Sequence, residues 1–435
     1  MLEQLKTIIL DLQGLTPDPG VPRRLPVREV PGKATVLIGV RRSGKSTFLF
    51  QVMDRLRRSG APAENILYLN FFDDRLHELK AENLGLVTEA YFSLYPEKKD
   101  AETVHCFFDE IQAVPGWEPF VDRLMRTEKC RVWLTGSSSR MLSREIATQM
   151  RGRGLAWELF PFSFREFLEF LGLDASAPFS TKRKLTIRKA FDRYWETGGF
   201  PEVAGLDPYL RVKIHQEYFQ AMLFRDLVER HDVSHPRALV DLARRLVDNT
   251  ASLYTVNSLT GYLKSLGHNA PKAAVSDYLE WFEDAYFLFS VKLFDASLSR
   301  SNANPKKIYC IDHSLVTSLA SGVLVNSGHL LENLVFVALR RSGAKINYYR
   351  TRTGQEVDFI AQGDDRKSRL IQACESIADP ATKKREFAAL SQAMTELKIK
   401  TGTVVTRLEE EEIETDSGRI EVVPAWRFLL EQDEV

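Results

Sequence analysis

The 435-residue sequence predicts an α/β protein built on a parallel sheet with helices on both faces. Three observations predict it. Between residues 34 and 160, short β-branched or aromatic runs alternate with stretches of helical spacing. The first run ends in GVRRSGKST (39–47), a glycine-rich loop that leads directly into an amphipathic stretch. A later run, HCFFDE (105–110), ends in two acids.

In chain order, KATVLIG (33–39) is read as a strand and KSTFLFQVMDRL (45–56) as a helix. NILYLNFFDD (65–74) follows as a strand, then a helix near 82–95 and the strand TVHCFFDE (103–110). A helix near 117–128, the strand RVWLTGSSS (131–139), a helix near 140–150 and the strand GLAWELF (154–160) complete the pattern. Ligands of such sheets bind at the carboxyl ends of the strands, so the loop and the later strand tips are expected to meet at one site.

The loop Gly39-Val40-Arg41-Arg42-Ser43-Gly44-Lys45-Ser46 matches G-x-x-x-x-G-K-[ST]. Glycines let the backbone wrap a phosphate with successive N–H groups turned inward, and the following helix adds its positive end. Lys45 is expected to meet the β- and γ-phosphates, Ser46 to ligate Mg²⁺, and Thr47 to cap or pack. ATP and Mg²⁺ are therefore the expected ligands. Guanine is not indicated, since no N/T-K-x-D motif follows the loop.

Asp109 suits Mg²⁺, held through water, and Glu110 suits orientation or deprotonation of the attacking water. The competing reading of Glu110 is a cap on the next helix. LTGSSSR (134–140) is the third strand tip; Thr135, Ser137 and Ser138 are candidate γ-phosphate sensors, or a plain turn and cap, with Ser137 taken into the candidate catalytic set.

Composition bounds the remainder. Hydrophobic content of 44% with 27% charged residues is ordinary for a soluble globular chain of two to three domains. Lys plus Arg equals Asp plus Glu at 59 each, so a nucleic-acid partner has to be held by local patches. Cys106, Cys130, Cys310 and Cys374 show neither metal-ligand spacing nor a disulfide framework, which fits a reducing cytoplasm. The amphipathic, acidic N-terminus MLEQLKTIILDLQG is unlike a signal peptide, and no run of about 18 apolar residues predicts a membrane span.

The order GVRRSGKST, FFDEIQAVPGWE, LTGSSSRMLSREIATQMRGR, LFPFSFREFLEF, YWETGGFPEV and FRDLVER resembles the prokaryotic AAA+ ATPases whose C-terminal half is a domain of unknown function related to PD-(D/E)XK nucleases. The likeness runs from about residue 34 nearly to the end. It implies an N-terminal extension (1–33), an AAA+ core (34–170), a helical lid (171–232), a winged-helix region (233–298) and a restriction-endonuclease-like domain (299–435). It also implies that Arg151 or Arg153 supplies an arginine finger; the alternative is a solvated or sheet-edge arginine. A finger acting in trans requires a homo-oligomer, as a ring or other assembly. TGGFPEV (197–203) reads by itself as a turn, and the resemblance places it in the lid near nucleotide.

Within 254–285 the sequence reads as helix, turn at Gly267-His268-Asn269-Ala270-Pro271, and second helix from about 272, followed by strand-like YFLFSVKLF (286–294). Lys264, Lys272 and His268 give this module a thin basic face, open to a DNA groove or to a protein.

The last third reads as helix (328–343), hairpin (345–362), strand (368–376), helix (382–397) and strand (401–407), the order of the PD-(D/E)XK core. Glu332 and Asp358 fit its first two acidic positions, with Glu356 expected to alternate to the other strand face. Gln372 stands where a third acid belongs, and Cys374 where the lysine belongs. An amide is a poor Mg²⁺ ligand and a thiol does not replace an ammonium, so cleavage is expected to be lost. LRRSGAKINYYRTR (339–352) sets Arg340, Arg341, Lys345, Arg350 and Arg352 among Tyr348 and Tyr349, readable as phosphate contacts with base stacking or as a charge-guarded edge. RLEEEEIETDSG (407–418) is read as an acidic, solvated loop.

Three functions follow: an oligomeric ATPase acting on DNA, a nucleotide-dependent switch or scaffold for a protein partner, and an ATP-gated nuclease. Glu110 favours the first two, and the missing nuclease lysine disfavours the third.

Overall fold

The computed structural model describes residues 1–136, 152–176, 180–320, 326–363 and 365–433. The chain divides into two compact units, Met1–Phe160 and Pro161–Val435.

The first unit carries β1 (Ala34–Ile38), β2 (Ile66–Asn70), β3 (Val104–Asp109), β4 (Cys130–Gly136) and β5 (Gly154–Glu158) in the order β2-β3-β4-β1-β5, all parallel. Every residue of β1 is buried, as a strand covered on both faces requires. Helix α1 spans Leu2–Gln13, α2 Lys45–Arg58, α3 Gly85–Leu94 and α4 Glu118–Thr127. Along α2, Phe48, Leu49, Val52 and Met53 form one apolar stripe, which packs on Leu37, Tyr68, Phe107 and Trp133 of the sheet. The expected N-terminal extension is partly core: α1 buries Leu5, Ile8 and Ile9 and packs against α3 and β2.

The parallel arrangement fixes which ends meet. The loop after β1, the tail of β3 and the tail of β4 all lie at the carboxyl edge, with β4 hydrogen-bonded between β3 and β1. The opposite edge begins β5, where Arg153 precedes Gly154 and its carbonyl accepts from Ala34 N at 2.7 Å.

The second unit begins ten residues before the expected boundary at 170, so the helix Phe164–Phe170 belongs to it. Helices Thr181–Thr197 and Pro208–Ala221 follow, the latter running on through a π-helical stretch, Met222–Val228. Helices Pro236–Asp248, Val256–Ser265 and Lys272–Asp284 then precede a small antiparallel sheet in the order β6-β8-β7, formed by Leu253–Tyr254, Lys306–Cys310 and Leu288–Val291. Strand β8 lies beyond the expected boundary at 298, yet pairs with the strands before it.

A six-stranded mixed sheet in the order β13-β14-β12-β11-β10-β9 forms the remainder. Its strands are β9 (Lys345–Arg350), β10 (Glu356–Gln362), β11 (Ser368–Ala373), β12 (Thr401–Thr406), β13 (Glu411–Thr415) and β14 (Gly418–Pro424). Helix Pro380–Leu397 buries Ala389, Leu390, Ala393 and Met394 on Val357, Ile360, Leu370, Val404 and Val422. The run 407–418 is not a loop: Glu411–Thr415 pairs antiparallel with β14 as an edge strand. Its glutamates point to solvent, and Glu411 and Glu412 pair with Lys383 at 2.6 Å and Arg419 at 2.7 Å. Charge therefore guards an exposed edge here, where composition alone suggested an unstructured run.

Candidate nucleotide site and a buried charge cluster

The loop Gly39–Thr47 bends through positive φ at Gly39 (150°), Arg42 (64°) and Gly44 (95°), the last being the residue before α2. A Cβ at Gly39 would lie 2.2 Å from the Leu159 carbonyl oxygen, so only glycine fits. Lys45 is buried, and its Nζ donates to the carbonyls of Gly39 and Val40 at 3.0 Å each. The ammonium thus stands inside the loop it is expected to serve. Ser43 is fully buried, and its hydroxyl finds no partner among the described residues. A buried orphan hydroxyl, a loop of positive-φ positions and an inward lysine together fit a polyphosphate with its cation. Ser46 and Thr47, half-buried, begin the helix.

Strand β3 delivers Asp109 fully buried. Tyr68 of β2 donates its hydroxyl to Asp109 Oδ2 at 2.9 Å, and Thr135 of β4 donates to Oδ1. Burial, reinforced by Asp109, pushes the Tyr68 phenol far above its ordinary range, so it stays a donor at every working pH. The same Thr135 oxygen accepts the Glu110 N–H at 2.9 Å. One hydroxyl therefore fixes both acids.

Glu110 adopts the left-handed conformation (φ 54°, ψ 40°), which costs about 1–2 kcal/mol for a non-glycine residue. Its side chain makes no cap bond to the short helical turn that follows, and instead accepts from Gln112 Nε2. The helix-cap reading of Glu110 thus has no bond behind it.

Sequence reasoning missed Arg23. Gln51 of α2 lays the segment 19–23 along the helix, donating to the carbonyls of Pro19 and Val21 at 2.7 Å and accepting from Arg23 N at 3.1 Å. The buried Arg23 guanidinium donates to the carbonyls of Ser43 and Phe160, tying the loop to the end of β5. Nothing local in VPRRLP marks that arginine, because its partners lie 20 and 137 residues away.

Ser137, Ser138 and Arg151 lie outside the described residues. Arg153 is not brought to the loop. It sits at the start of β5 and pairs with Asp122 of α4 at 3.2 Å, about 16 Å along β1 from the loop by strand rise. Within its own chain, Arg153 therefore stands at the sheet edge opposite the loop.

In the second unit, Lys307 of β8 is buried, and its Nζ lies 2.8 Å from Glu332 Oε1, Glu356 Oε1 and Asp358 Oδ1. Tyr309, two residues on along the same strand, donates to Glu332 at 2.7 Å. Glu356 was expected on the other strand face from Asp358; two residues apart in a strand means one face, and both meet the same ammonium. Burial and the neighbouring Asp358 push the Glu332 carboxyl up, although Lys307 opposes them. Gln372 lies opposite Asp358: it accepts the Asp358 N–H at 3.2 Å and donates to Glu386 at 2.8 Å. Cys374 is buried, which raises its thiol. Lys307 escaped sequence reasoning because its partners are 25 to 51 residues away; the only trace was a charge inside the apolar strand KKIYC.

The basic–aromatic strip divides. Tyr348 is core, its hydroxyl donating to the Pro305 carbonyl at 2.6 Å, which corrects its reading as a stacking residue. Arg340 lies over the Phe289 ring at 4.4 Å and Arg341 lies 3.6 Å from Glu166, so both are engaged within the fold. Tyr349 donates to Glu396 at 2.6 Å, and Arg350 lies 3.7 Å from Glu356. Lys272, Lys345 and Arg352 are exposed. The TGGFPEV turn is held from within its own unit: Gly199 N donates to Asp312 Oδ2 at 2.7 Å.

No described helix is long and apolar enough to cross a membrane, and the four cysteines are free thiols. An AAA domain model matches residues 31–168, a domain of unknown function (DUF8612) 188–324, and another (DUF4143) 327–428. An uncharacterized protein of Methanocaldococcus jannaschii is 33% identical over 418 residues, covering 94% of this chain and 90% of that one. One of Haemophilus influenzae is 30% identical over 332 residues, covering 76% and 80%. Among solved structures, a Walker-type ATPase of Pyrococcus abyssi shares 14% identity over 73% of this chain and 94% of that one, with a TM-score of 0.42. AMPPCP-bound DnaA of Aquifex aeolicus shares 12% over 65% and 86%, with a TM-score of 0.27. At TM-scores this low, the structural likenesses carry no argument. The chain belongs to the same family as the Methanocaldococcus jannaschii protein, and it carries an AAA domain over residues 31–168.

Proposed function

We propose that this protein binds ATP with Mg²⁺ and hydrolyses it, using the loop 39–47 for the phosphates, Ser46 and Asp109 for the cation, and Glu110 for the attacking water. The observation that carries the reading is the Thr135 hydroxyl, which bonds Asp109 and the Glu110 backbone together at the carboxyl edge beside the loop. Mg²⁺, when bound, supplies charge neutralisation on the phosphates; the chain supplies position. Lys45 exchanges two carbonyl partners for phosphate oxygens, Tyr68 and Thr135 hold Asp109 in one rotamer, and the left-handed turn at Glu110 aims its carboxylate. Of the three sensor candidates, Thr135, Ser137 and Ser138, we assign the role to Thr135, through its bonds to Asp109 and Glu110.

Beyond hydrolysis, we read the second unit as the part that acts on a partner, with helices 181–231 as lid, 236–310 as a winged-helix module and the six-stranded sheet as a nuclease-like domain without cleavage. DNA is the first candidate partner, met through Lys272, Lys345 and Arg352. A protein partner is the second reading, favoured by the engagement of Tyr348, Arg340 and Arg341 within the fold. A homo-oligomer accompanies either reading if a finger arginine acts in trans.

Mg²⁺-dependent ATP turnover of the wild type beside Lys45→Ala and Glu110→Gln, with and without single- and double-stranded DNA, tests this. Turnover lost in both variants supports the ATPase, and stimulation by DNA supports the DNA reading. Turnover indifferent to DNA moves the partner to protein, and wild-type turnover no greater than that of the variants sinks the ATPase reading itself.

A further inference from the structure

The buried cluster around Lys307 goes beyond the nucleotide site and does not depend on it. Three carboxylates converge from separate places: Glu332 from helix Ser327–Arg341, and Glu356 and Asp358 from β10. Each presents one oxygen 2.8 Å from the same nitrogen. The ammonium donates hydrogen bonds to Glu332 and Asp358 and is ion-paired with Glu356.

Convergent carboxylate oxygens on a buried point are what a hard divalent cation asks for, at 2.0–2.6 Å. The point they converge on is taken. Lys307 is 2% exposed and stands at hydrogen-bond distance from all three acids, so a metal ligated by them would have to displace it. The surroundings agree with a monovalent occupant. Asp358 Oδ2 is already bonded to Ala373 N at 2.9 Å, Glu332 Oε1 also accepts from Tyr309, and Glu356 Oε2 faces Arg350 at 3.7 Å. Gln372, the neighbour that would add a further negative ligand, is neutral and turns its amide nitrogen to Glu386. The residues present therefore do not fit the divalent metal that a nuclease-like fold implies.

We infer that the Lys307 ammonium is a built-in cation, supplied by β8 and closing an acidic site that would otherwise bind a hard divalent metal such as Mn²⁺ or Mg²⁺. Lysine here does not assist a metal; it replaces one. Removing it while keeping its bulk opens a metal site of class Mn²⁺/Mg²⁺ on the same three acids.

The test uses nucleotide-free, full-length protein and Mn²⁺ alone, with free Mn²⁺ followed by electron paramagnetic resonance. Wild type and Asp358→Asn are expected to give superimposable isotherms. Lys307→Met is expected to bind one additional Mn²⁺ per chain, and Lys307→Met/Asp358→Asn to lose it. Thermal denaturation should show Mn²⁺ raising the melting temperature of Lys307→Met and leaving the wild type unmoved by comparison. Mn²⁺ bound by the wild type and lost in Asp358→Asn overturns the inference, because lysine and metal then share the site. A folded Lys307→Met that gains no Mn²⁺ overturns it as well. If that variant does not fold, Lys307→Met/Glu332→Gln, which removes one negative charge with the positive one, carries the same expectation, and the wild-type comparison decides independently.

Discussion

The hydroxyl of Thr135 donates to Asp109 Oδ1 while accepting the Glu110 N–H at 2.9 Å, so a single side chain on β4 sets both acids at the end of β3. A hydroxyl has one proton and two lone pairs, which allows both bonds at once. Thr135→Val keeps the shape and loses both. We expect ATP turnover to fall at least tenfold with nucleotide affinity changed less than threefold, since the phosphates are held elsewhere. Thr135→Ser should recover most of the rate. Steady-state turnover beside equilibrium binding of a fluorescent ATP analogue separates the two effects.

Gly39→Ala should fail for two reasons at one position. The backbone there has φ 150°, and the new carbon would sit 2.2 Å from the Leu159 carbonyl oxygen. Backbone must move, so we expect about 3 kcal/mol of lost stability together with lost nucleotide binding. Chemical denaturation followed by tryptophan fluorescence reads the first, and the ATP analogue reads the second.

Lys307→Ala leaves three carboxylates facing a void. Stripping a buried ion pair of one partner costs about 3–5 kcal/mol. Differential scanning calorimetry in metal-free buffer should show the transition of the C-terminal unit lowered accordingly. Adding Asp358→Asn to that variant should recover part of the loss, because one unpaired charge is removed with its partner.

Stability should also fall on mild acidification. His215 is fully buried, its Nδ1 2.8 Å from the Ser318 hydroxyl and its ring against Phe200 and Tyr218. Burial lowers its pKa to about 4, with Asp312 opposing and Arg211 and His313 adding to the shift. In the unfolded chain it takes a proton below about pH 6.5, whereas in the fold it resists until about pH 4. This contribution is therefore complete above pH 6.5 and is lost as pH falls towards 4, by about 3 kcal/mol. Urea denaturation at pH 7.5 and 5.0 should show about 2 kcal/mol of that loss, and His215→Gln should flatten the difference.

What the sequence made legible was local. The loop 39–47, the acids closing β3 and the helix–turn–helix at 256–284 are contiguous patterns, and each forms the expected element. What it hid was decided by partners distant in the chain. Tyr68 reads as one more aromatic in an apolar strand until β3 is laid beside it, and Tyr348 reads as a surface tyrosine until the Pro305 carbonyl is set against its hydroxyl. The resemblance makes Arg153 a candidate finger, and only parallel pairing shows that the start of β5 lies at the edge far from its own chain's loop. The glutamates of 407–418 were charged enough to look unstructured, and only the register with β14 makes them a strand.

The Lys307 cluster also bears on how the second unit comes apart. Its cation lies in the three-stranded sheet, while its acids lie in the helix Ser327–Arg341 and the six-stranded sheet. Neither sheet can keep its share dry alone, because half of the cluster without the other half is a bare charge in a low-dielectric interior. The small sheet and the large one are thereby bound into a single cooperative block. Amide hydrogen exchange should find β8 and β10 opening together, with one common free energy, despite the 45 residues of chain between Cys310 and Glu356.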